Sequence, residues 1–420
     1  MIGCSACEKK APRTNIVLIV IDTLRADHLP IYNYPRNTTP FLARLAARGV
    51  IFENAYSASS WTSPATASIF SSLYPFQHGV HMGLMAQRKL SKKDPNVEFN
   101  RLPAKVVTMT EILKQSGYAT YGVSDNINIS DKQGFDQGFD VLESFIHEGA
   151  EKIKTVARTF KNRIGASPYF LYLHFNDPHQ PYRQEPPKEL LTGDETENIV
   201  TNYDWEISHV DRRIQELYEF YGWDKNTLLI ITADHGEELW EKGLYGHGKS
   251  LYHTLLHVPL VVFFPERIAG GRRVAENVST IDILPTLCDW VGAKHPAVIS
   301  GVSFTPVLSG RPLVESKRYF FANLQIKRFE QPDLLIKATI YRHFKFIHSF
   351  APEDRLFFNL QNDPGEKDNQ FGQAQETARI LENEYLKYES RCIRFKQESA
   401  NTSLDEKKNR QLEELGYIQK

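Results

Sequence analysis

The chain has 420 residues, 41% of them hydrophobic and 12% aromatic, enough to bury one large core or two unequal ones. Its 50 lysines and arginines nearly cancel its 51 aspartates and glutamates, which excludes a global field for nucleic acid, so any anion binding must be local. No apolar run reaches the length of a membrane-spanning helix, and the four cysteines (Cys4, Cys7, Cys288, Cys392) are too few and too scattered for a disulfide framework.

Residues 1–13 read as a polar tail. Within it Ile2-Gly3-Cys4-Ser5 looks like the end of a lipoprotein signal, in which a cysteine after small residues is lipidated. The apolar stretch that should precede it would lie upstream of Met1. With such a signal, a periplasmic or cell-envelope location is expected, and membrane contact only through that anchor. Asn15 to Ile21 is a continuous β-branched run of the kind found in a central parallel strand, and it stops at Asp22. Pro40 to Gly49 predicts an amphipathic helix, and Val50 opens the next strand.

Trp61 to Ser68 then places Thr62 just before Pro64 and an apolar helix pattern, so Thr62 is expected at or next to the N-cap. A hydroxyl there can cap its own helix, or attack an anionic ester drawn to the helix N-terminus. Gln87 to Lys105 lacks an apolar period and reads as a surface excursion. A helix over Thr108–Ser116 and a strand over Tyr118–Ser124 lead to Asp125-Asn126. A buried strand over Pro168–Phe175 leads to His179, a helix runs from about Asp204 to Tyr221, and a strand over Thr227–Thr232 ends at Asp234-His235.

Strands alternating with helices predict an α/β fold: a doubly wound, mainly parallel sheet spanning residues 14–312, with polar residues gathered at the strand ends. Leu260–Phe264 and a helix near Ile281–Val291 complete it. Short, closely spaced strands within 313–373 predict a small antiparallel C-terminal subdomain. A helix from Ala374 to Arg391 follows, and the charged remainder of 374–420 is expected to wrap the surface or fray.

Asp22, Asp234 and His235, with Thr62 as a possible fourth oxygen, make a donor set suited to one divalent cation. Calcium or manganese suits it best, and zinc is possible. Taken singly, each acid is more often a cap or an ion-pair partner; their convergence on one sheet edge is what favours metal.

The segments Asn15–Leu29, Trp61–Gly79, Asp177–Tyr182, Thr232–Pro259 and Phe358–Asn369 together resemble, in order, the sulfatase branch of the alkaline phosphatase superfamily. The resemblance implies that Asp22, Asp234 and His235 bind a metal and that Thr62 is the nucleophile held against it. His179 matches the histidine of the family's Asp-Pro-His-x-Pro-Tyr segment. The departures are pointed. Typical sulfatases carry Cys/Ser-x-Pro-x-Arg and convert the first residue to formylglycine, whereas this chain reads Thr62-Ser63-Pro64-Ala65-Thr66. His247 stands where a lysine is common, and Asp125-Asn126 where many members have Lys/His.

A threonine held by a metal resembles the phosphodiesterases and the phosphoglycerol or phosphoethanolamine transferases of the superfamily. Formylglycine expels sulfate through its second hydroxyl, an exit threonine lacks, so phosphoester chemistry is expected over sulfate chemistry. His179 and His247 are the candidates to hold nonbridging oxygens or protonate a leaving group. Asn126 and Lys249 are candidate substrate contacts, and Ser63 is the runner-up nucleophile. His253 and His257 read as structural or rim residues. The expected partner is an anionic ester: a small molecule, a glycan or a lipid headgroup. The competing expectation is a sulfatase-like protein that has lost catalysis and binds anionic glycans or envelope lipids.

Overall fold

The computed structural model describes residues 14–94, 97, 99–165, 167–313, 317–399, 404 and 406–414. Cys4 and Cys7 lie outside these residues; Cys288 and Cys392 are free thiols.

Eight strands form the main sheet: β1 (Asn15–Ile21), β2 (Val50–Tyr56), β3 (Ala119–Ser124), β4 (Val141–Ser144), β5 (Tyr169–Phe175), β6 (Thr227–Thr232), β7 (His257–Phe263) and β8 (Arg272–Ser279). Their order is β8-β2-β7-β6-β1-β5-β3-β4. Only β7 runs against its neighbours. The central position of β1 follows from its composition: a strand covered on both faces must be apolar at every position, and Ile16 to Val20 are fully buried. β7 carries Pro259, which has no N–H to give the ladder, and its pairing with β2 shifts register between Val258 and Leu260.

Helices α1 (Pro40–Ala46), α2 (Thr62–Ser71), α3 (Leu84–Ser91), α4 (Met109–Gln115), α5 (Ala150–Phe160), α6 (Glu195–Tyr221) and α7 (Ile283–Val291) cover this sheet. α1 and α5 pack on α6, while α2, α4 and α7 pack together. All ten residues of α2 are buried, so it shows no polar face, and its small side chains let neighbours approach on every side.

Two expectations need correction. The segment read as a surface excursion begins as α3, whose Gln87 is buried and donates Nε2 to the carbonyls of Met82 and Asn100 at 2.8 and 3.2 Å. Here a polar residue faces inward because backbone acceptors meet it, which an apolar count cannot register. α6 starts at Glu195, well before Asp204, because Asp194 caps it by accepting from the N–H groups of Thr196 and Glu197.

A separate antiparallel sheet follows: β9 (Phe320–Ile326), β10 (Leu334–Tyr341), β11 (Phe344–Phe350) and β12 (Glu353–Asn359), paired in chain order. One face packs on Tyr56, Leu251 and Leu256 of the main body. The other receives Ala378 and Leu381 of α8 (Gln375–Arg391). The last described helix, α9 (Glu406–Glu414), returns to the main body.

Candidate active site

Because all strands but β7 run the same way, the loops after β1, β2, β3, β4, β5 and β6 open on one edge. They deliver Asp22, Thr62, Asn126, His147, His179 and Asp234-His235. Asp22, Asp234 and His235 offer ligand atoms that all lie within 4.8 Å of one another, and all three side chains are fully buried.

The hydrogen bonds around this set decide what it can hold. Asp22 Oδ2 accepts from Asn126 Nδ2 at 2.8 Å, whereas Asp22 Oδ1 has no partner. Asp234 Oδ1 accepts from the N–H of His235 at 2.8 Å and of Thr23 at 3.4 Å, whereas Asp234 Oδ2 has none. His235 Nδ1 meets the Gly236 carbonyl at 2.8 Å, so Nδ1 carries the proton and Nε2 presents its lone pair. Each carboxylate thus has one oxygen oriented by the protein and one bare, and His235 has its Nδ1 fixed and its Nε2 lone pair turned inward. Two bare carboxylate oxygens and an imidazole lone pair, buried and converging, could hold a divalent cation.

The electrostatics agree. Burial opposes the charge on Asp22, but the His174 hydrogen bond and the nearby His235 and His179 rings hold its carboxyl below the usual range. Burial and the Asp22 charge push Asp234 well above it. Burial and His247 hold the His235 imidazole down to about 4, so it stays neutral near pH 7.

Thr62 occupies the first turn of α2. Trp61 takes the N-cap position with extended backbone, and no side chain caps the helix. The Thr62 hydroxyl instead lies 3.4 Å from Asp22 Oδ2 and 3.3 Å from His235 Nε2. Thr62 thus stands next to the N-cap as expected, and of the two roles open to its hydroxyl it does not cap: the side chain faces the acidic set. Thr62 also lines a cavity of ≈ 250 Å³ together with Asn126, His147, Asn176, His179 and His247.

His247 reaches this cavity on a small hairpin, Glu238–Leu239 paired with Tyr245–Gly246. Gly246 and Gly248 flank it at φ 86° and 68°, conformations that let the chain double back around the histidine. The loop is tied to the approach to α2 by Gly248 N–H to the Ser60 carbonyl at 3.1 Å and by Ser60 Oγ to the Ser250 carbonyl at 2.7 Å. His247 Nδ1 pairs with Glu237 Oε1 at 2.9 Å. Burial lowers the imidazole to about 4 and raises the Glu237 carboxyl to about 7. The His179 ring centre lies 4.9 Å from that of His247, and its Nδ1 gives its proton to the Gln180 carbonyl.

The other residues singled out in the sequence lie as follows. Asn126 spends its amide on Asp22 and Asn176. Asp125 accepts from the N–H groups of Glu148 and Gly149, ahead of α5. Lys249 donates to the Tyr245 carbonyl at 2.8 Å and is not in the cavity lining. Ser63 Oγ is buried without a partner. Thr66, at the family's arginine position, is fully buried in α2. Asp27 pairs with Arg25, and His28 with Asp204, outside the site. His253 and His257 stack on each other at 4.6 Å and line a different cavity of ≈ 740 Å³ between the main and C-terminal sheets.

Four residues escaped the sequence reading. His174 Nε2 lies 3.3 Å from Asp22 Oδ2, and Asn176 joins Asn126 to His147 through contacts of 3.1 and 2.8 Å. Glu237 orients His247. A histidine inside an otherwise apolar strand and an acid three residues past Asp234 were signals for His174 and Glu237. His147 had none, since its approach depends on β4 pairing beside β3.

Residues 14–293 match the family model described as Sulfatase, and residues 240–389 the one described as N-sulphoglucosamine sulphohydrolase, C-terminal. Among curated proteins the chain is 23% identical to a Delta 4,5-hexuronate-2-O-sulfatase of Bacteroides thetaiotaomicron, over 87% of this chain and 86% of that one. Among solved structures it superposes on a 2-O GAG sulfatase with a TM-score of 0.76 at 19% identity, covering 92% of this chain and 95% of the other. A phosphonate monoester hydrolase of Agrobacterium radiobacter gives 0.72 at 18% identity, covering 90% and 96%.

Proposed function

The chain belongs to the sulfatase family of ester hydrolases, and from that premise we propose that it cleaves phosphoesters, diesters above all, through a covalent ester on Thr62. The observation that carries the reading is the uncapped Thr62 hydroxyl, buried on the cavity wall and turned to Asp22 and His235. A divalent cation held by Asp22, Asp234, His235 and the Thr62 oxygen would supply positive charge and lower the pKa of that hydroxyl. Thr62 Oγ1 bonds to phosphorus as the bond to the leaving oxygen breaks. Water or an alcohol then displaces the threonine oxygen and restores it.

His179 and His247 bear on the cavity through Nε2, since each Nδ1 is committed elsewhere. With Nδ1 carrying the proton, each Nε2 presents a lone pair. Their role is to take up the Thr62 proton as the Oγ1–P bond forms and deliver it to the departing oxygen, and the Nε2–H so formed holds a nonbridging oxygen. Two features select the ester. Threonine has one hydroxyl, so a sulfated threonine lacks the elimination open to hydrated formylglycine. With Thr66 and His247 in place of an arginine and a lysine, little cationic charge surrounds the ester, which favours a monoanionic diester over a monoester dianion.

The test is a turnover screen of aryl sulfates, phosphate monoesters, phosphodiesters and phosphonate monoesters, each with calcium, manganese and zinc. Fastest turnover of a diester is expected. Turnover of sulfates alone would overturn the ester assignment, and no turnover in any combination would favour a binding protein that has lost catalysis.

A further inference from the structure

Beside the polar set around Thr62, the cavity has an apolar lining made by Met85 of α3, Ile127 after β3, Ile146 after β4 and Leu412 of α9. These come together because Leu84, Ile127, Ile146 and Leu412 form a buried cluster of their own, with Met85 packed on it. Polar contacts hold α9 there. Arg88 donates to Asn409 Oδ1 at 2.8 Å, and Gln411 Nε2 to Glu148 Oε1 at 3.2 Å. The charged C-terminal stretch, expected to wrap the surface or fray, thus completes a wall of the site, and its Leu412 is fully buried.

Lys89 lies one helical turn beyond Met85 and lines the same cavity. It is the only lysine or arginine among the described lining residues, it is exposed, and no described carboxylate pairs with it. Asp125, also in the lining, has both oxygens engaged by backbone N–H groups. No described carboxylate therefore competes for the Lys89 ammonium at the rim of the apolar wall.

We propose that Lys89 is a specificity residue, selecting esters whose body lies against the Met85–Ile127–Ile146–Leu412 wall and carries a second anionic group. This rests on the reading of the Thr62 cavity as the ester site. At ≈ 250 Å³ the cavity is below the usual size of drug-ligand sites, so the body it admits is about one ring. The second anion is a carboxylate or a sulfate; both present oxygens to an ammonium in the same way.

The manganese-loaded full chain is titrated calorimetrically with methyl(phenyl)phosphinate and with methyl(3-carboxyphenyl)phosphinate, monoanionic at phosphorus like a diester, whose P–C bonds resist cleavage. The carboxylated probe is expected to bind about threefold to fivefold tighter, the upper range for a partly exposed ion pair. Lys89→Ala should bring the ratio of the two affinities to about one, and Lys89→Glu should invert it. A ratio near one in the native chain, or a preference that survives both variants, would overturn the inference while leaving the ester site standing. Failure to bind either probe would overturn both readings.

Discussion

Asn126 donates its amide to Asp22 Oδ2 at 2.8 Å and to Asn176 Oδ1 at 3.1 Å, which turns the bare Asp22 oxygen toward Asp234 and His235. A residue so placed would act on a bound cation through Asp22 rather than on the ester. Asn126→Ala is therefore expected to weaken manganese affinity about tenfold to a hundredfold, read by competition with a chelating dye. Its KM at saturating metal should move much less; a large rise in KM with unchanged metal affinity would return Asn126 to the substrate. At this scale the sequence carried part of the site. Asp22, Asp234, His235 and Thr62 were legible because each ends a strand or starts a helix, where loops converge. The partners that orient them were not, because contacts such as Asn126 with Asp22 and Asn176 with His147 join side chains far apart in the chain.

Among the elements, α1 shows how the covering layer is tied down. It has Pro40 in its first turn and no side-chain cap of its own. Its first free N–H groups, of Phe41 and Leu42, are met instead by Asp211 of α6 at 2.8 and 2.9 Å. Burial raises the Asp211 carboxyl from 3.8 to about 6. A carboxyl whose folded pKa lies above its unfolded one binds its proton more tightly in the fold, so its contribution is greatest at low pH. That contribution is lost as pH rises from about 4 to about 6, and stays constant above. Relative to Asp211→Asn, the native chain should lose up to ~3 kcal/mol of stability over that interval, measured by urea unfolding at each pH. A difference that does not change with pH would contradict the account. α6 itself was read nine residues short, because the turns from Glu195 to Tyr203 carry a weak apolar stripe and the cap at Asp194 was passed over.

At the scale of the whole molecule, a buried charge ties the C-terminal sheet to the main body. Lys345 of β11 and Glu366 form a fully buried ion pair at 2.7 Å, and the second Glu366 oxygen accepts from the N–H of His253 at 2.6 Å. Lys345→Met leaves Glu366 charged without its counter-ion and is expected to cost about 3–5 kcal/mol, read by urea unfolding. Lys345→Met combined with Glu366→Gln should recover part of that loss; a double variant no better than the single would place the cost in packing. The two-sheet architecture was legible because strand composition changes after Pro312, from continuous apolar runs to short alternating ones. The return of α9 to the cavity was not, since Leu404 and Leu412 are isolated apolar residues in a charged stretch. What unites these scales is that the strand ends, the hairpin carrying His247 and the C-terminal helix all converge on one hydroxyl. The most direct measurement is acid-quenched peptide mass spectrometry of the manganese-loaded chain turning over bis(4-nitrophenyl) phosphate. The nitrophenylphosphoryl group is expected on Thr62, and Thr62→Ala should lose turnover roughly a thousandfold or more while still binding manganese. The adduct on another residue, or undiminished turnover in Thr62→Ala, would contradict the account.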